Sequence, residues 1–361
     1  KKKKMSKKKI IKIISVIVGV IAVFIIGTLI TYNVMLSPVS KDTTSITFEI
    51  PYKTTSIEVL ESLKDSNLIK NVTAAKIYMK LNKITNIQAG IYELNKAMST
   101  GEILKSFKDG KVIDDEITVT FVEGKRMPYY VDMIAKNFNY SSDEVNALLT
   151  DKEFLNELIT NYWFISEDIL NKDIYYPLEG YFFPDTYNFR KEASLKEIVL
   201  TLINGLAKKL APYKKEIENS GYSAHQILTL ASIVELEGVN DESRSGVASV
   251  FYNRLKDGWT LGSDVTTYYA VKKDFSSELT KEDLDTCSPY NTRSNCVTAL
   301  PVGPICSSGL ESIVATINPA STDYYYFVAD KNKKTYYAKT QSEFNAIIAD
   351  LKNQGLWYVY N

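Results

Sequence analysis

An α+β fold carried on one apolar N-terminal helix is the class this 361-residue sequence predicts. Three observations predict it. The uncharged run "IISVIVGVIAVFIIGTLITY", residues 13–32, is long enough to cross a bilayer as a single helix. Beyond it, short alternating strand patterns are interleaved with helical periodicities of similar length. The length itself exceeds one small domain and suits an anchor plus about two folded units.

The basic tail, residues 1–12, carries eight lysines and the apolar run carries none. By the positive-inside rule the N-terminus is therefore cytoplasmic and the rest of the chain lies outside. A cleaved signal peptide competes with this reading. However, the run exceeds a signal core, and the following "NVMLSPVS" offers no A-x-A-like site.

Residues 33–44 read as a polar linker. "SITFEI" then alternates as a strand, "TSIEVLESLKDSN" and "TAAKIYMKLN" have helical spacing, and "AGIYEL" returns as a strand. "STGEILKSFKDG" follows as a helix, with Ser99 and Glu102 spaced as a capping box and Gly110 as its stop. This unit, residues 45–112, gathers no convergent polar cluster, and its size and order suit a binding module. Residues 113–190 connect onward through the strand and helix of "DEITVTFVEGKRMPYYVDMIAKNF", helices over 143–170, and the aromatic block "IYYPLEGYFFPDTYNF". The last part, 191–361, begins with a long helix around 193–219. Two further helices, "SAHQILTLASIVELE" and "ESRSGVASVFYNRLKDG", precede a loop-rich tract from 258 to 309. Strands "YYYFVAD" and "KTYYAK" close the chain about a turn at "KNKK".

Charge and composition remove several function classes. The formal net charge is zero, but eight of the 43 basic residues lie in the tail, which leaves 35 against 43 acidic residues and a net −8 elsewhere. Such a surface is a poor nucleic-acid binder, since phosphate binding runs on clustered Lys and Arg; a neutral or zwitterionic polymer fits better. One histidine, His225, and no C-x-x-C leave no zinc-ligand pattern, so no metal or other cofactor is expected. His225 sits in the apolar "SAHQILTLA" helix, a position more often core than catalytic, which weakens any Ser-His or Cys-His reading. Of the three cysteines, Cys287 and Cys296 either bridge a short loop or stay as free thiols.

The candidate chemistry lies in "LTLASIVELEGV", residues 228–239. Ser223 and Gln226 form a capping box at the start of this helix, and Gly238 marks its end. Apolar residues occupy nearly all of its faces, so the helix is buried and Glu235 sits in its last turn. Desolvation and the negative helix end both disfavour the charged carboxylate and raise its pKa, as a general acid near neutral pH requires. Cleavage of a glycosidic bond is the chemistry that most often wants one protonated carboxyl in a sugar-sized cleft. The plainer reading is an ion pair with Arg244 or Arg254 of the next helix. Glu237 reads as a supporting or solvent-facing residue.

Around it, "LEGYFFPDTY" sets aromatic rings beside Glu179 and Asp185, "GSDVTTYYA" places Asp264 in a loop, and "SPYNT" and "LPVGPI" are structured polar loops. In this order the blocks closely resemble the MltG/YceG-like family of endolytic murein transglycosylases, over most of residues 46–361 and most densely from 175 to 330. The resemblance implies a bacterial single-pass membrane protein with a LysM-like module at 45–112, a connecting segment at 113–190 contributing to the cleft, and a catalytic domain at 191–361. It implies that Glu235 is the catalytic acid and base, and that Glu179, Asn253, Asp264, Tyr290, Asn291 and Thr292 line or brace a substrate-binding cleft. The implied substrate is nascent peptidoglycan, the product a 1,6-anhydromuramoyl end, and the implied partners are peptidoglycan synthases of the penicillin-binding class. The sequence departs from the family pattern at Val265, at Arg293 with a longer loop holding Cys296, and at Thr335 and Phe344, where relatives often carry histidines. A non-catalytic wall-binding scaffold, and a hydrolytic muramidase using Glu235 as acid and Asp264 as base, stand as alternatives.

Overall fold

The computed structural model describes residues 7–51, 54–85, 87–110 and 116–357. The chain divides into two compact units, residues 1–115 and 116–361.

In the first unit, helix α1 (Lys7–Leu36) includes a stretch, Ser15–Leu36, long and apolar enough to cross a membrane. Strand β1 (Ile46–Ile50), helices α2 (Ser56–Asp65) and α3 (Val72–Leu81), strand β2 (Gly90–Leu94) and helix α4 (Thr100–Asp109) follow in the order the periodicity predicts. β1 and β2 pair antiparallel with Phe48 opposite Tyr92. Their inward residues meet Leu60, Leu63, Leu104 and Phe107 in a closed core. The Ser99–Glu102 capping box forms, and Gly110 ends α4 with φ of +64°, a left-handed conformation that glycine adopts without a Cβ clash.

The second unit opens with strand β3 (Glu116–Thr120) and helices α5 (Met127–Phe138), α6 (Ser142–Leu149) and α7 (Lys152–Asn161). Strand β4 (Thr186–Arg190) returns to pair antiparallel with β3, Glu116 opposite Arg190. The helix expected around 193–219 is divided. It comprises α8 (Leu195–Leu210), a short 3₁₀ turn at Ala211–Tyr213, and α9 (Lys214–Asn219). Pro212, which lacks an N–H and crowds the preceding turn, falls at the break. Helices α10 (Ala224–Glu237), α11 (Asp241–Lys256), α12 (Asp264–Ala270), α13 (Lys281–Asp285) and α14 (Leu310–Ile317) come next. The hairpin of β5 (Tyr326–Ala329) and β6 (Thr335–Ala338) and helix α15 (Gln341–Asn353) complete it.

Helix α10 is apolar on all sides because it lies between two cores. Ile227, Leu228 and Ala231 join the cluster built by α5–α8. Leu230, Ile233 and Val234 join a second cluster with Val247, Phe251, Leu261, Tyr269 and Tyr290. The last turn of this helix is thereby fixed from both sides, which makes it a rigid mount for a side chain.

Candidate active site

Glu235 leaves the last turn of α10 with a side chain only 5% exposed. Its Oε2 accepts hydrogen bonds from the Gly309 amide at 3.0 Å and the Ser312 hydroxyl at 2.6 Å. Its Oε1 lies 3.6 Å from the Arg244 guanidinium, whose side chain is 11% exposed and also meets Asp241. Gly309 is the N-cap of α14, so the carboxyl sits at the positive end of that helix as well as at the negative end of α10. The sequence points to the α10 end, to burial and to an arginine of the next helix. The folded site selects Arg244 and adds the α14 terminus, so a guanidinium and a backbone amide both face the carboxyl. Arg244 is thus the partner the plainer reading named, and it occupies the same site as the candidate acid.

Gly238 caps α10 for a reason the sequence does not display. Its φ is −75°, so no left-handed conformation is needed. Instead, a Cβ there would stand 2.7 Å from Arg244 Cγ, and glycine leaves the passage through which Arg244 reaches Glu235.

The "LPVGPICSSG" loop is laced to its surroundings. Ile305 donates its amide to Ser232 Oγ at 3.0 Å. The Gly124 amide donates to Ser307 O at 2.8 Å, and the Ser307 amide donates back to Lys125 O at 3.0 Å. These bonds deliver the Gly309 amide to Glu235. They also bring Glu123, 112 positions earlier, to the same place: a Cβ on Gly309 would stand 2.3 Å from Glu123 Oε2. Burial and the Glu235 charge push the Glu123 carboxyl up, with Arg244 acting against them.

The remaining sequence-nominated residues form the frame more than the lining. Glu179 is 1% exposed; its Oε2 accepts from the Met127 amide at 3.0 Å and the Tyr269 hydroxyl at 3.1 Å. Burial pushes its carboxyl up to about 7, against the lowering effect of those two bonds and Arg126. Tyr290 is fully buried, its ring 4.7 Å from Tyr269 and 4.8 Å from Tyr175, and its hydroxyl accepts from the Tyr175 amide. Asn291 is also fully buried. Its Nδ2 donates to the carbonyls of Asp283, Leu284 and Thr286, and its Oδ1 accepts from the Thr267 hydroxyl. Thr292 Oγ1 accepts from the Ser263 amide at 3.1 Å and shares a hydrogen bond with Thr266. Asn253 stands apart, donating to the carbonyls of Thr322 and Tyr324.

Asp264 heads α12 with its side chain half exposed and accepts from Arg293 Nε at 2.5 Å. Its charge is taken up by the residue that departs from the family pattern, and its carboxylate neighbour is Glu237. Glu237 is half-buried and accepts from Ser263 Oγ at 2.6 Å. Burial raises its carboxyl, the Ser263 bond opposes this, and Asp264 adds to it. Cys287 and Cys296 form a disulfide that closes the loop carrying Ser288–Thr292, which resolves the two cysteine readings in favour of a bridge. Phe344, in α15, stacks on Tyr326, and Thr335 begins β6.

His225 is a core residue. Its Nε2 lies 2.9 Å from the Val302 carbonyl, which only accepts, so Nδ1 is left to accept from the Tyr181 hydroxyl at 2.8 Å. The aromatic block is core too: Tyr181, Phe182 and Phe183 are buried in the α5–α8 cluster. Among the described residues no group of His, Cys, Asp and Glu is arranged to hold a metal ion. Sequence reasoning missed Glu123, Gly309 and Ser312.

Compared with known proteins, residues 48–350 match the YceG-like family. A protein named endolytic murein transglycosylase from Bacillus subtilis (strain 168) is 37% identical over 315 residues, covering 86% of each chain. Another of that name, from Streptococcus pneumoniae serotype 2, is 31% identical over 331 residues, which span 86% of this chain and 59% of that one. The crystal structure of a YceG-like protein from Listeria monocytogenes superposes with a TM-score of 0.60 at 35% identity, covering 85% of this chain and all of that one.

Proposed function

This chain belongs to the YceG-like family, and from that premise we propose that it is a membrane-anchored endolytic murein transglycosylase whose acid and base is Glu235. The observation that carries the reading is the setting of that one carboxyl. It is nearly buried, mounted between two cores, and held by the Gly309 amide, the Ser312 hydroxyl and Arg244. One carboxyl suffices for this chemistry. Glu235 gives its proton to the glycosidic oxygen as the bond from the N-acetylmuramic acid anomeric carbon to N-acetylglucosamine breaks. The resulting carboxylate takes the proton from the muramoyl 6-hydroxyl as that oxygen bonds to the anomeric carbon. The product is a 1,6-anhydromuramoyl end, Glu235 is again protonated, and no water is consumed.

The apolar helix α1 anchors the protein in the bacterial cell membrane, with its lysine-rich tail in the cytoplasm and the second unit outside. Such an anchor restricts the cleft to strands close to the bilayer, which favours nascent glycan and contact with peptidoglycan synthases. Residues 45–112 act as a LysM-like glycan-binding module, 113–190 contribute to the cleft, and 191–361 form the catalytic domain. Tyr290, Asn291, Thr292 and Glu179 hold the cleft walls from within; Asn253 fixes α11 to the 322–324 segment, and Asp264 faces the substrate with Arg293.

The test is product analysis. The full chain in detergent micelles is incubated with uncrosslinked glycan strands, and fragment ends are read by mass spectrometry. Internal fragments with 1,6-anhydromuramic acid ends are expected. Reducing muramic acid ends would replace this reading with hydrolysis.

A further inference from the structure

Helix α1 runs on to Leu36, and the chain beyond it is tied down rather than free. The Lys70 ammonium donates to Ser37 Oγ at 2.8 Å, and the Ser40 amide donates to Lys96 O at 3.0 Å. These bonds hold the small unit that follows against the outer end of the apolar helix. Helix α3 lies alongside α1, and the two flank a groove of about 580 Å³. One wall is Phe24, Gly27, Thr28 and Thr31 of α1; the facing wall includes Ala74 and Ile77 of α3.

The α1 wall lies inside the apolar stretch that spans the bilayer. From Thr31 down to Phe24 is roughly 10 Å of helix. An interfacial helix buries its apolar face about 5–10 Å into the boundary between headgroups and acyl chains. The α3 wall is thereby set at the level of lipid, not of free water.

The residues of α3 suit that level. Ala75 and Met79 face the core of the unit. On the outside, Ile77 is 46% exposed and Leu81 is 70% exposed, one turn apart on one face. Lys76 and Lys80 are exposed beside them, also one turn apart, and Lys83 follows. Single exposed apolar side chains are ordinary, but this pair continues the groove wall that Ile77 forms with α1. Charge points the same way. Residues 66–92 hold Lys70, Lys76, Lys80 and Lys83 and no acidic residue, in a chain that is net −8 beyond its N-terminal tail. Lysine stems lie along apolar surface while their ammonium groups reach outward to phosphate. Tyr32 lines the same groove, and its hydroxyl has no hydrogen-bond partner among the described residues. Its place near the outer end of the span is where a tyrosine meets headgroup oxygens.

We infer that α3 is a lipid-binding face: the groove between α1 and α3 takes an acyl chain of an anionic phospholipid of the outer leaflet, and Lys76 and Lys80 hold its phosphate. The inference rests on the reading of α1 as a membrane span. It makes the unit at 45–112 a membrane-seated element, a role separate from glycan binding.

The experiment uses the full chain with Leu81→Cys, labelled there with an environment-sensitive fluorophore. Cys306 is buried and Cys287 and Cys296 are bridged, so the label goes to the new thiol. The protein is reconstituted into phosphatidylcholine vesicles with and without about one-third phosphatidylglycerol. Quenching by shallow brominated lipid reports a seated α3, and quenching by acrylamide reports one open to water. In anionic vesicles the lipid quenching should dominate. Each lysine near an anionic surface favours the seated state about fivefold, so Lys76→Gln with Lys80→Gln should lower the seated-to-free ratio about twenty- to thirtyfold there, and little in pure phosphatidylcholine. Ile77→Ser should lower it about tenfold in both. All these side chains are exposed, so the variants leave the core of the unit intact. A label open to acrylamide and out of reach of brominated lipid in both vesicles would overturn the inference, as would seating in anionic vesicles that the paired lysine variant leaves unchanged. Release of the chain from the vesicles by alkaline carbonate would overturn the reading of α1 as a span instead, whatever the label reports.

Discussion

Glu179 is a carboxyl whose folding cost can be worked from the structure. It is fully enclosed, and burial lifts it from an ordinary 4.5 to about 7. An acid raised in the folded state binds more protons folded than unfolded between those values, so stability is full below pH 4.5 and falls as pH rises towards and through 7. The whole displacement corresponds to about 3 kcal/mol, of which about 2 kcal/mol is lost between pH 5.5 and 8.5. Glu179→Gln removes the ionisation yet leaves a carbonyl oxygen to accept from the Met127 amide and the Tyr269 hydroxyl. The melting temperature of the variant relative to wild type should therefore climb by about 4–8 °C between pH 5.5 and 8.5, at about 2–4 °C per kcal/mol for a unit of this size. Thermal melts in detergent at the two pH values measure it. A difference that stays constant across the range would refute the claim that Glu179 is forced to ionise in a buried site.

Three further outcomes follow from the frame. Gly180→Ala should lower stability by about 2–4 kcal/mol, because φ is +81° and the new Cβ would stand 2.5 Å from Pro304 Cβ; a melt measures it. Asn291→Ala orphans three backbone carbonyls and the Thr267 hydroxyl. It should cost about 2–4 kcal/mol and weaken strand cleavage through a loosened cleft wall. Replacing Cys287 and Cys296 by serine opens a loop of sequence separation 9 and should cost about 2–3 kcal/mol. Wild type in reductant should melt with the double variant; if it melts with oxidised wild type, the bridge is not stabilising the loop.

What the sequence displayed was mostly local. Capping boxes at Ser99–Glu102 and Ser223–Gln226 are signals within four residues, and both form. The all-apolar faces of α10 announced burial because no solvent-facing stripe remained, and the structure supplies the two cores that require it. Glu235 stood out as the polar exception at the end of such a helix. What stayed hidden was tertiary: Ser312 is 77 positions from Glu235, Gly309 is 74, and no periodicity links them. Glu123 sits in "FVEGKR", where a glutamate before a glycine reads as a strand end and turn. Aromatic rings beside carboxylates in "LEGYFFPDTY" suggested a saccharide wall; composition alone does not separate that from core, and the rings are core. Likewise the residues nominated to line or brace the cleft divide by burial, a property set by contacts from distant segments. Tyr290, Asn291, Thr292 and Glu179 are inside, and Asp264 is outside.

The central claim, that one carboxyl on α10 performs both proton transfers, is tested most directly by Glu235→Gln in the full chain. The amide keeps the size of the side chain and an acceptor for Gly309 and Ser312, so the variant should melt near wild type and still bind glycan strands. Formation of 1,6-anhydromuramic acid ends, quantified by mass spectrometry, should fall by at least about a hundredfold at every pH. Anhydro ends appearing at the wild-type rate from the folded variant would contradict the account.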